Sequence, residues 1–223
     1  MKTSELSHAF DRAARRYDLL TSLNPGYDRH LADAARLLTA PREGRILDLC
    51  CGTGRSTQAL TAVYPSASVV GLDVSMRMLN RARRVGAPLV RGDAAAPPMR
   101  DATFDAALVA YGLRNIDEPD AFLARLRAVL RPGGRLAIHD YALTGARSRI
   151  TWWVVAHLVI IPAGFVATGS AHLYRYLYRS VVRFDRADAV VDRLRRAGFV
   201  DVERHDTSHW QKGVAHTFTA TRP

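Results

Sequence analysis

One stretch constrains this chain more than any other: Ile46-Leu47-Asp48-Leu49-Cys50-Cys51-Gly52-Thr53-Gly54, an apolar run that ends in a glycine turn. Short apolar runs of this kind are strands buried on both faces. Glycines at the turn let a ligand approach backbone that a side chain would cover, and a helix starting near Arg55 would aim its N-terminus at that ligand. The next apolar run ends in Val70-Gly71-Leu72-Asp73, an acidic residue about twenty positions past the turn and suited to both ribose hydroxyls of an adenosine. A dinucleotide fingerprint would place a third glycine at position 57, where this chain has Thr57. A further acidic residue, Asp93 in Arg91-Gly92-Asp93-Ala94, follows the third run, within reach of an adenine amino group. Ligands of open α/β sheets bind at these carboxyl ends, so Asp73 and Asp93 after successive strands, together with Asp48 within the first, read as one site.

Around that motif the pattern is regular. Apolar runs at Arg45 to Leu49, Ser68 to Leu72, Pro88 to Arg91, Phe104 to Val109 and Arg135 to His139 alternate with amphipathic stretches, which predicts βαβ units. Ser75 caps a predicted helix carrying Met76, Leu79 and Ala82. Phe122, Leu126, Val129 and Leu130 form the apolar stripe of another that ends before Pro132-Gly133-Gly134. Two helices are expected from Ser4 to Leu38, broken at Asn24-Pro25-Gly26. A helix with Val190, Leu194 and Ala197 leads into two last strands, near Phe199 to Glu203 and Val214 to Ala220. The expectation is one α/β domain over residues 1–223, doubly wound, with a mostly parallel seven-stranded sheet and helices on both faces. Residues 1–40 form a helical cap, 41–141 the cofactor-binding core, 142–185 a helical insertion after the fifth strand, and 186–223 the final helix and strands.

Within the insertion, Trp152 to Val166 is apolar, shorter than the ~20 residues of a membrane span and interrupted by His157 and Pro162. It reads as a core helix, a lid over an apolar substrate, or a segment at the membrane interface. The only cysteines, Cys50 and Cys51, are adjacent. They supply neither a loop-closing disulfide nor metal-ligand spacing, and no metal is expected. The charged N-terminus has no apolar segment with a cleavage site, so a cytoplasmic protein is expected. A net charge of +11 raises nucleic acid or an anionic membrane as partners, but Lys2 and Lys212 are the only lysines among 32 basic residues. Arginine spread along alanine-rich helices reads as a solvated basic surface, and no nucleic-acid partner is expected.

Taken together, these residues resemble class I methyltransferases, and most closely the ubiquinone and menaquinone biosynthesis C-methyltransferase family. The resemblance runs through Ala14-Arg15-Arg16-Tyr17-Asp18, the Leu47 to Gly54 loop, Gly71 to Leu79, Gly112-Leu113-Arg114-Asn115, Val129 to Leu136, and Tyr174-Arg175-Tyr176-Leu177 with Ser180. It implies S-adenosylmethionine as cofactor and a lipophilic quinol or phenol as acceptor. Cofactor contacts carry over to Thr53, Asp73, Asp93 and Ala94, with Ala110 where the family has a small polar residue. Asp48, Gly52, Gly54, Val74 and Met78 complete the expected set. Asp48 either serves the methionine amino group through water or anchors the loop through backbone amides. Where the family has a His-Arg-x-Trp group, this chain reads Asp28-Arg29-His30-Leu31.

Methyl transfer from a sulfonium depends mainly on holding the reactants in line. For carbon methylation a ring hydroxyl ionises and a proton leaves the ring carbon afterwards. Arg114 and Asn115 are the expected catalytic pair, a fixed cation for the phenolate and an amide to orient a water; the alternative for Arg114 is an ion pair with Asp117 or Glu118. His139 and Asp140 read as a base with an orienting carboxylate, or as structural residues at a strand end. Tyr17, Tyr111, Tyr174 and Tyr176 are expected to line the acceptor. Another aromatic or specialised-metabolite acceptor, O-methylation at the ring, a non-catalytic cofactor-binding module, a homodimer and a peripheral contact at the inner face of the membrane all stay open.

Overall fold

The computed structural model describes residues 26–169 and 171–223. The first predicted helix, with Tyr17, lies outside the described residues. The second is α1 (Tyr27–Leu37), with Gly26 in the left-handed region at its N-cap. It is followed by β1 (Arg45–Leu49), α2 (Arg55–Val63), β2 (Ser68–Asp73), α3 (Met76–Ala82), β3 (Leu89–Arg91), β4 (Phe104–Ala110), α4 (Pro119–Val129) and β5 (Leu130–Tyr141). The remainder is α5 (Ala146–Val155), a π-helical turn (Ala156–Ile160), α6 (Ile161–Thr168), α7 (His172–Arg183), α8 (Ala187–Arg196), β6 (Val200–Asp206) and β7 (Ala215–Thr221).

The seven strands form one sheet in the order β3-β2-β1-β4-β5-β7-β6. Strands β1 to β5 pair in parallel, and β7 runs antiparallel to both β5 and β6. The chain passes from edge strand β3 back to β4, beside β1, so the order reverses at β1 and β4. That reversal opens a crevice at the carboxyl ends of the strands.

Alternation along β1 divides the core. Leu47 and Leu49 face a layer with Phe122, Leu126, Val190 and Leu194, from α4 and α8. Ile46 faces the opposite layer with Ala34, Leu38 and Leu60, from α1 and α2. Period-two burial beneath helices with period near 3.6 is the physical content of the doubly wound pattern. The predicted cap of α3 is present, with Ser75 Oγ accepting from the Met78 amide at 3.1 Å. Strand β5 starts earlier than expected. Leu130 pairs with Phe104, then the register jumps so that Ala106 faces Arg135, and Arg131-Pro132-Gly133-Gly134 bulge out between them. Gly133 has φ +75°, and a Cβ on Gly134 would stand 2.7 Å from the Arg131 carbonyl.

The insertion departs most from expectation. Ala146–Val166 is one helical run of 21 residues, longer than the apolar stretch Trp152 to Val166 that it contains, and it meets the length and mean hydropathy of a membrane span. Pro162 does not end it. Proline lacks the N–H and crowds the carbonyl four residues back, and the π turn immediately before α6 absorbs that mismatch. A core-helix reading fails for most of the segment. Trp152 and Ala156 are buried, whereas Ile150, Trp153, Val154, Leu158, Val159, Phe165 and Val166 are exposed.

Candidate active site

The carboxyl ends of β1, β2, β3 and β4 enclose a cavity of about 220 Å³. Of the expected cofactor residues, Gly52, Asp73, Val74, Met78, Asp93, Ala94 and Ala110 line it together. Asp73 is oriented by two amides, from Gly52 to Oδ2 and from Ser75 to Oδ1, both at 2.9 Å. Gly52 has φ +55°, which allows this turn back toward the strand end. Asp93 accepts from the Ala95 amide at 2.9 Å.

Three expected contacts lie outside this lining. Gly54 packs instead, since a Cβ there would stand 2.9 Å from Val85 and 3.0 Å from Ala82. Thr53 is buried in the turn. Asp48 is fully buried, and its Oδ2 accepts from Ser56 Oγ at 2.8 Å and Thr57 Oγ1 at 2.6 Å. The carboxylate anchors the loop to the first turn of α2 through hydroxyls, where backbone amides were expected. Thr57, which displaces the third glycine of a dinucleotide loop, is therefore a partner for Asp48. Burial pushes the Asp48 carboxyl up to about 7 against the lowering effect of these bonds. Burial also pushes both cysteine thiols up. They pack closely, as a Cβ on Gly112 would lie 2.8 Å from Cys50 and one on Gly71 3.1 Å from Cys51.

A larger cavity of about 1190 Å³ lies against the insertion. It is lined by Arg114, Ile161, Pro162, Phe165, Tyr176 and the arginines of α7, and it shares Asn115, Ile116 and Asp117 with the smaller one. The junction thus falls on the turn after β4, where the catalytic pair was expected. Arg114 Nη1 donates to Asp140 Oδ1 at 2.6 Å and to the Tyr111 carbonyl at 2.7 Å, and the Arg114 amide donates to Asp140 Oδ2 at 3.1 Å. A carboxylate partner is therefore Asp140 on β5, which lies outside the Asp117 and Glu118 alternatives. The pair is almost wholly buried, so the junction sees an oriented, charge-compensated donor and no net cation. Asn115 Nδ2 donates to the Tyr111 carbonyl at 3.3 Å, and its Oδ1 accepts from Tyr176 at 3.0 Å, which ties the insertion to the core.

The His139–Asp140 dyad is not formed. Successive residues of β5 face opposite ways, and His139 is buried with Nδ1 at 2.9 Å from Thr217 Oγ1 and Nε2 at 3.0 Å from the Tyr111 hydroxyl. Burial lowers its pKa to about 3, so the ring is neutral and both nitrogens are engaged. Tyr111 itself is held with φ +56° and lines the smaller cavity. Tyr27 stacks on it at 5.0 Å, and Tyr141 and then Trp152 continue the aromatic chain at 5.2 and 5.1 Å. Tyr174 is buried against Gly164 and lies outside the lining of the larger cavity.

Sequence reasoning missed Tyr27 and Tyr141, and read Asp117, which lines both cavities, only as an ion-pair partner. Tyr27 and Tyr141 follow immediately on signals that were read, Gly26 and Asp140, but an aromatic cluster assembled from α1, β4 and β5 has no linear spacing.

The chain matches the ubiE/COQ5 methyltransferase family over residues 1–222. It is 35% identical, over 88% of its length and 86% of the relative's, to the ubiquinone/menaquinone biosynthesis C-methyltransferase UbiE of Syntrophotalea carbinolica. It is 31% identical to the demethylmenaquinone methyltransferase of Corynebacterium kroppenstedtii, over all of its length and 96% of the relative's. Among solved structures, a Thermotoga maritima S-adenosylmethionine-dependent methyltransferase, a possible histamine N-methyltransferase, shares the fold with TM-score 0.71 at 22% identity, over 97% of this chain and 99% of that one. The chain is an S-adenosylmethionine-dependent methyltransferase and belongs to the ubiE/COQ5 methyltransferase family.

Proposed function

We propose that the chain transfers a methyl group to a ring carbon of a lipophilic quinol of the demethylmenaquinol class. The observation that carries this reading is the junction of the two cavities at Asn115, Ile116 and Asp117: a small one at the strand ends and a large one walled by Ile161, Pro162 and Phe165. The names of the relatives point to the same class of acceptor.

The smaller cavity suits S-adenosylmethionine by its own chemistry. A carboxylate accepts at about four sites, so the two amides that orient Asp73 do not exhaust it for a ribose. Val74, Met78, Ala94 and Ala95 offer apolar walls to a flat base, with Asp93 for its amino group. Gly52 and Ala110 leave room at the sulfonium end, and Asp48, Thr53 and Gly54 hold the loop in shape from behind. Bound there, the cofactor supplies an electrophilic methyl group.

On the acceptor side, Arg114 takes the ring oxygen. Asp140 and the Tyr111 carbonyl hold both hydrogens of Nη1, which aims the rest of the guanidinium fork while compensating its charge. Hydrogen bonding to the oxyanion favours the ionised ring and places charge on the ortho carbon. Asn115, fixed by Tyr176 and Tyr111, holds the water that receives the departing ring proton, with Asp117 at the same junction. Tyr111 and Tyr176 bound the acceptor; Tyr174 supports the helix behind them.

A different aromatic acceptor is favoured by one observation. Leu31 stands where the family resemblance leads one to expect tryptophan, and it packs in the cluster with Tyr111, Tyr141 and Trp152. Both readings are tested by following labelled methyl from S-adenosylmethionine to demethylated prenyl naphthoquinol and benzoquinol in detergent. Label on ring carbon is expected, falling by at least about tenfold in Arg114→Ala while cofactor affinity is retained. Cofactor binding without label on either quinol would turn the assignment to another aromatic acceptor, and normal turnover in Arg114→Ala would remove that residue from the mechanism.

A further inference from the structure

We propose that the outward face of the helix Ala146–Val166 is a docking surface for an anionic lipid bilayer, with the helix lying in the plane of the interface and the mouth of the larger cavity beside it. Ile150, Leu158 and Val166 are 64%, 67% and 86% exposed, and Trp153, Val154, Val159 and Phe165 continue the same apolar strip. A strip of this size on a water-facing surface marks an interaction site.

The helix is long and apolar enough to cross a membrane, but its inner face is already engaged. Trp152 and Ala156 are fully buried, Trp152 packs on Tyr141 at 5.1 Å, and Ser148 Oγ accepts from the amides of Thr144 and Gly145 at 3.1 and 3.0 Å. Spanning would strip those contacts. Lying flat keeps them and buries the apolar strip among acyl chains.

Charge selects the lipid. Arg147 and Arg149 are exposed at the start of the helix, Arg147 one turn before Ile150. On α7, Arg175, Arg179 and Arg183 recur every four residues and line the same cavity as Ile161, Pro162 and Phe165. None of these five arginines makes an ion pair with a described residue. An apolar helix rimmed by unpaired arginines fits a surface of anionic headgroups over acyl chains, where each cation near the surface adds about 1 kcal/mol of attraction. A second copy of this chain would bring two arginine-rich rims together, which like-charge repulsion opposes.

Given the acceptor reading above, the consequence is that a lipophilic acceptor enters the cavity from the bilayer without crossing water. Docking itself does not depend on that reading, and its test measures lipid binding alone. The full chain is floated with vesicles of phosphatidylcholine plus phosphatidylglycerol and with vesicles of phosphatidylcholine alone, at low and high salt. Flotation with the anionic vesicles, weakened by salt, is expected. A tenfold or greater loss is expected in the variant Ile150→Asp/Leu158→Asp, with S-adenosylmethionine affinity and thermal unfolding unchanged because both side chains point outward. Arg147→Glu/Arg149→Glu keeps the apolar strip and is expected to lose most of the preference for anionic vesicles. Failure of the parent chain to float, equal flotation of the Asp variant, or a lipid-free dimer that this variant dissociates would each overturn the proposal, the last by placing a second copy on the face.

Discussion

Asp48 and His139 are buried titratable groups that burial drives in opposite directions, and the consequence can be read in stability. The Asp48 carboxyl titrates near 7 in the folded chain against 3.8 when exposed, so between these values the folded state keeps a proton that the unfolded state gives up. Its contribution to stability therefore falls as pH rises through that window and is level above it. His139 works the other way. Its folded value near 3 lies below 6.5, so stability from the neutral ring is present above 6.5 and is lost as pH falls through that range. Because the two slopes oppose each other in the parent chain, Asp48→Asn isolates one of them. The difference in Tm between variant and parent is expected to shift in the variant's favour from pH 4.5 to pH 8; a difference independent of pH would show that Asp48 ionises as an exposed carboxylate does. The ligand-facing acidic residues, Asp73 and Asp93, were legible because each follows a strand end. The role of Asp48 was half legible, since its partners on Ser56 and Thr57 require the helix to start where it does.

Among the elements, inner strands such as β1 and β4 were legible because each is a short apolar run between turn residues, and burial on both faces leaves no other pattern. Errors fell at ends and irregularities. The early start of β5 depends on a pairing of Leu130 with Phe104 across a four-residue bulge, a long-range contact that local periodicity does not encode. In the insertion, the sequence marks only Trp152 to Val166 as apolar, with His157 and Pro162 as interruptions, whereas the helix runs unbroken through both from Ala146 to Val166. The π turn at Ala156–Ile160 lets the helix pass the proline, and His157 Nδ1 is satisfied by the Trp153 carbonyl at 2.9 Å. Contact between α6 and α7 rests on the absence of a side chain: a Cβ on Gly164 would stand 2.1 Å from the Tyr174 ring. Gly164→Ala must therefore move a buried tyrosine or push the helices apart, a cost of about 1–3 kcal/mol by the measure of overpacked cores. Faster amide exchange confined to residues 161–183, with the Tyr176 to Asn115 bond weakened, is the expected outcome; unchanged exchange there would mean the two helices are not locked by this contact.

At the scale of the whole molecule, the basic charge and the apolar insertion, which composition left as separate features, meet around one cavity. Neither was assignable in the sequence, because arginine spacing on α7 and apolar spacing on the preceding helix say nothing about which faces turn toward each other. The structure brings Arg175, Arg179 and Arg183 of one helix and Ile161, Pro162 and Phe165 of another to the lining of one cavity, with Asn115 shared with the smaller cavity. An enzyme that collects a membrane-dissolved acceptor through such a mouth meets it at the acceptor's concentration in the bilayer, whereas a freely diffusing one meets it at its concentration in water. The two cases separate when a prenylated acceptor is held at fixed total amount and diluted with additional anionic lipid. Entry from the bilayer predicts that the initial rate falls in proportion to the acceptor's mole fraction once all enzyme is bound, and that a short-chain, water-soluble acceptor escapes this dilution. Ile150→Asp/Leu158→Asp should lose rate on the prenylated acceptor in vesicles and keep it on the short-chain one, because the substitution removes docking and leaves the junction at Arg114 and Asn115 untouched. Equal loss on both acceptors would place the exposed helix in the chemistry of the site, and a rate on the prenylated acceptor indifferent to lipid dilution would place the acceptor's route through water.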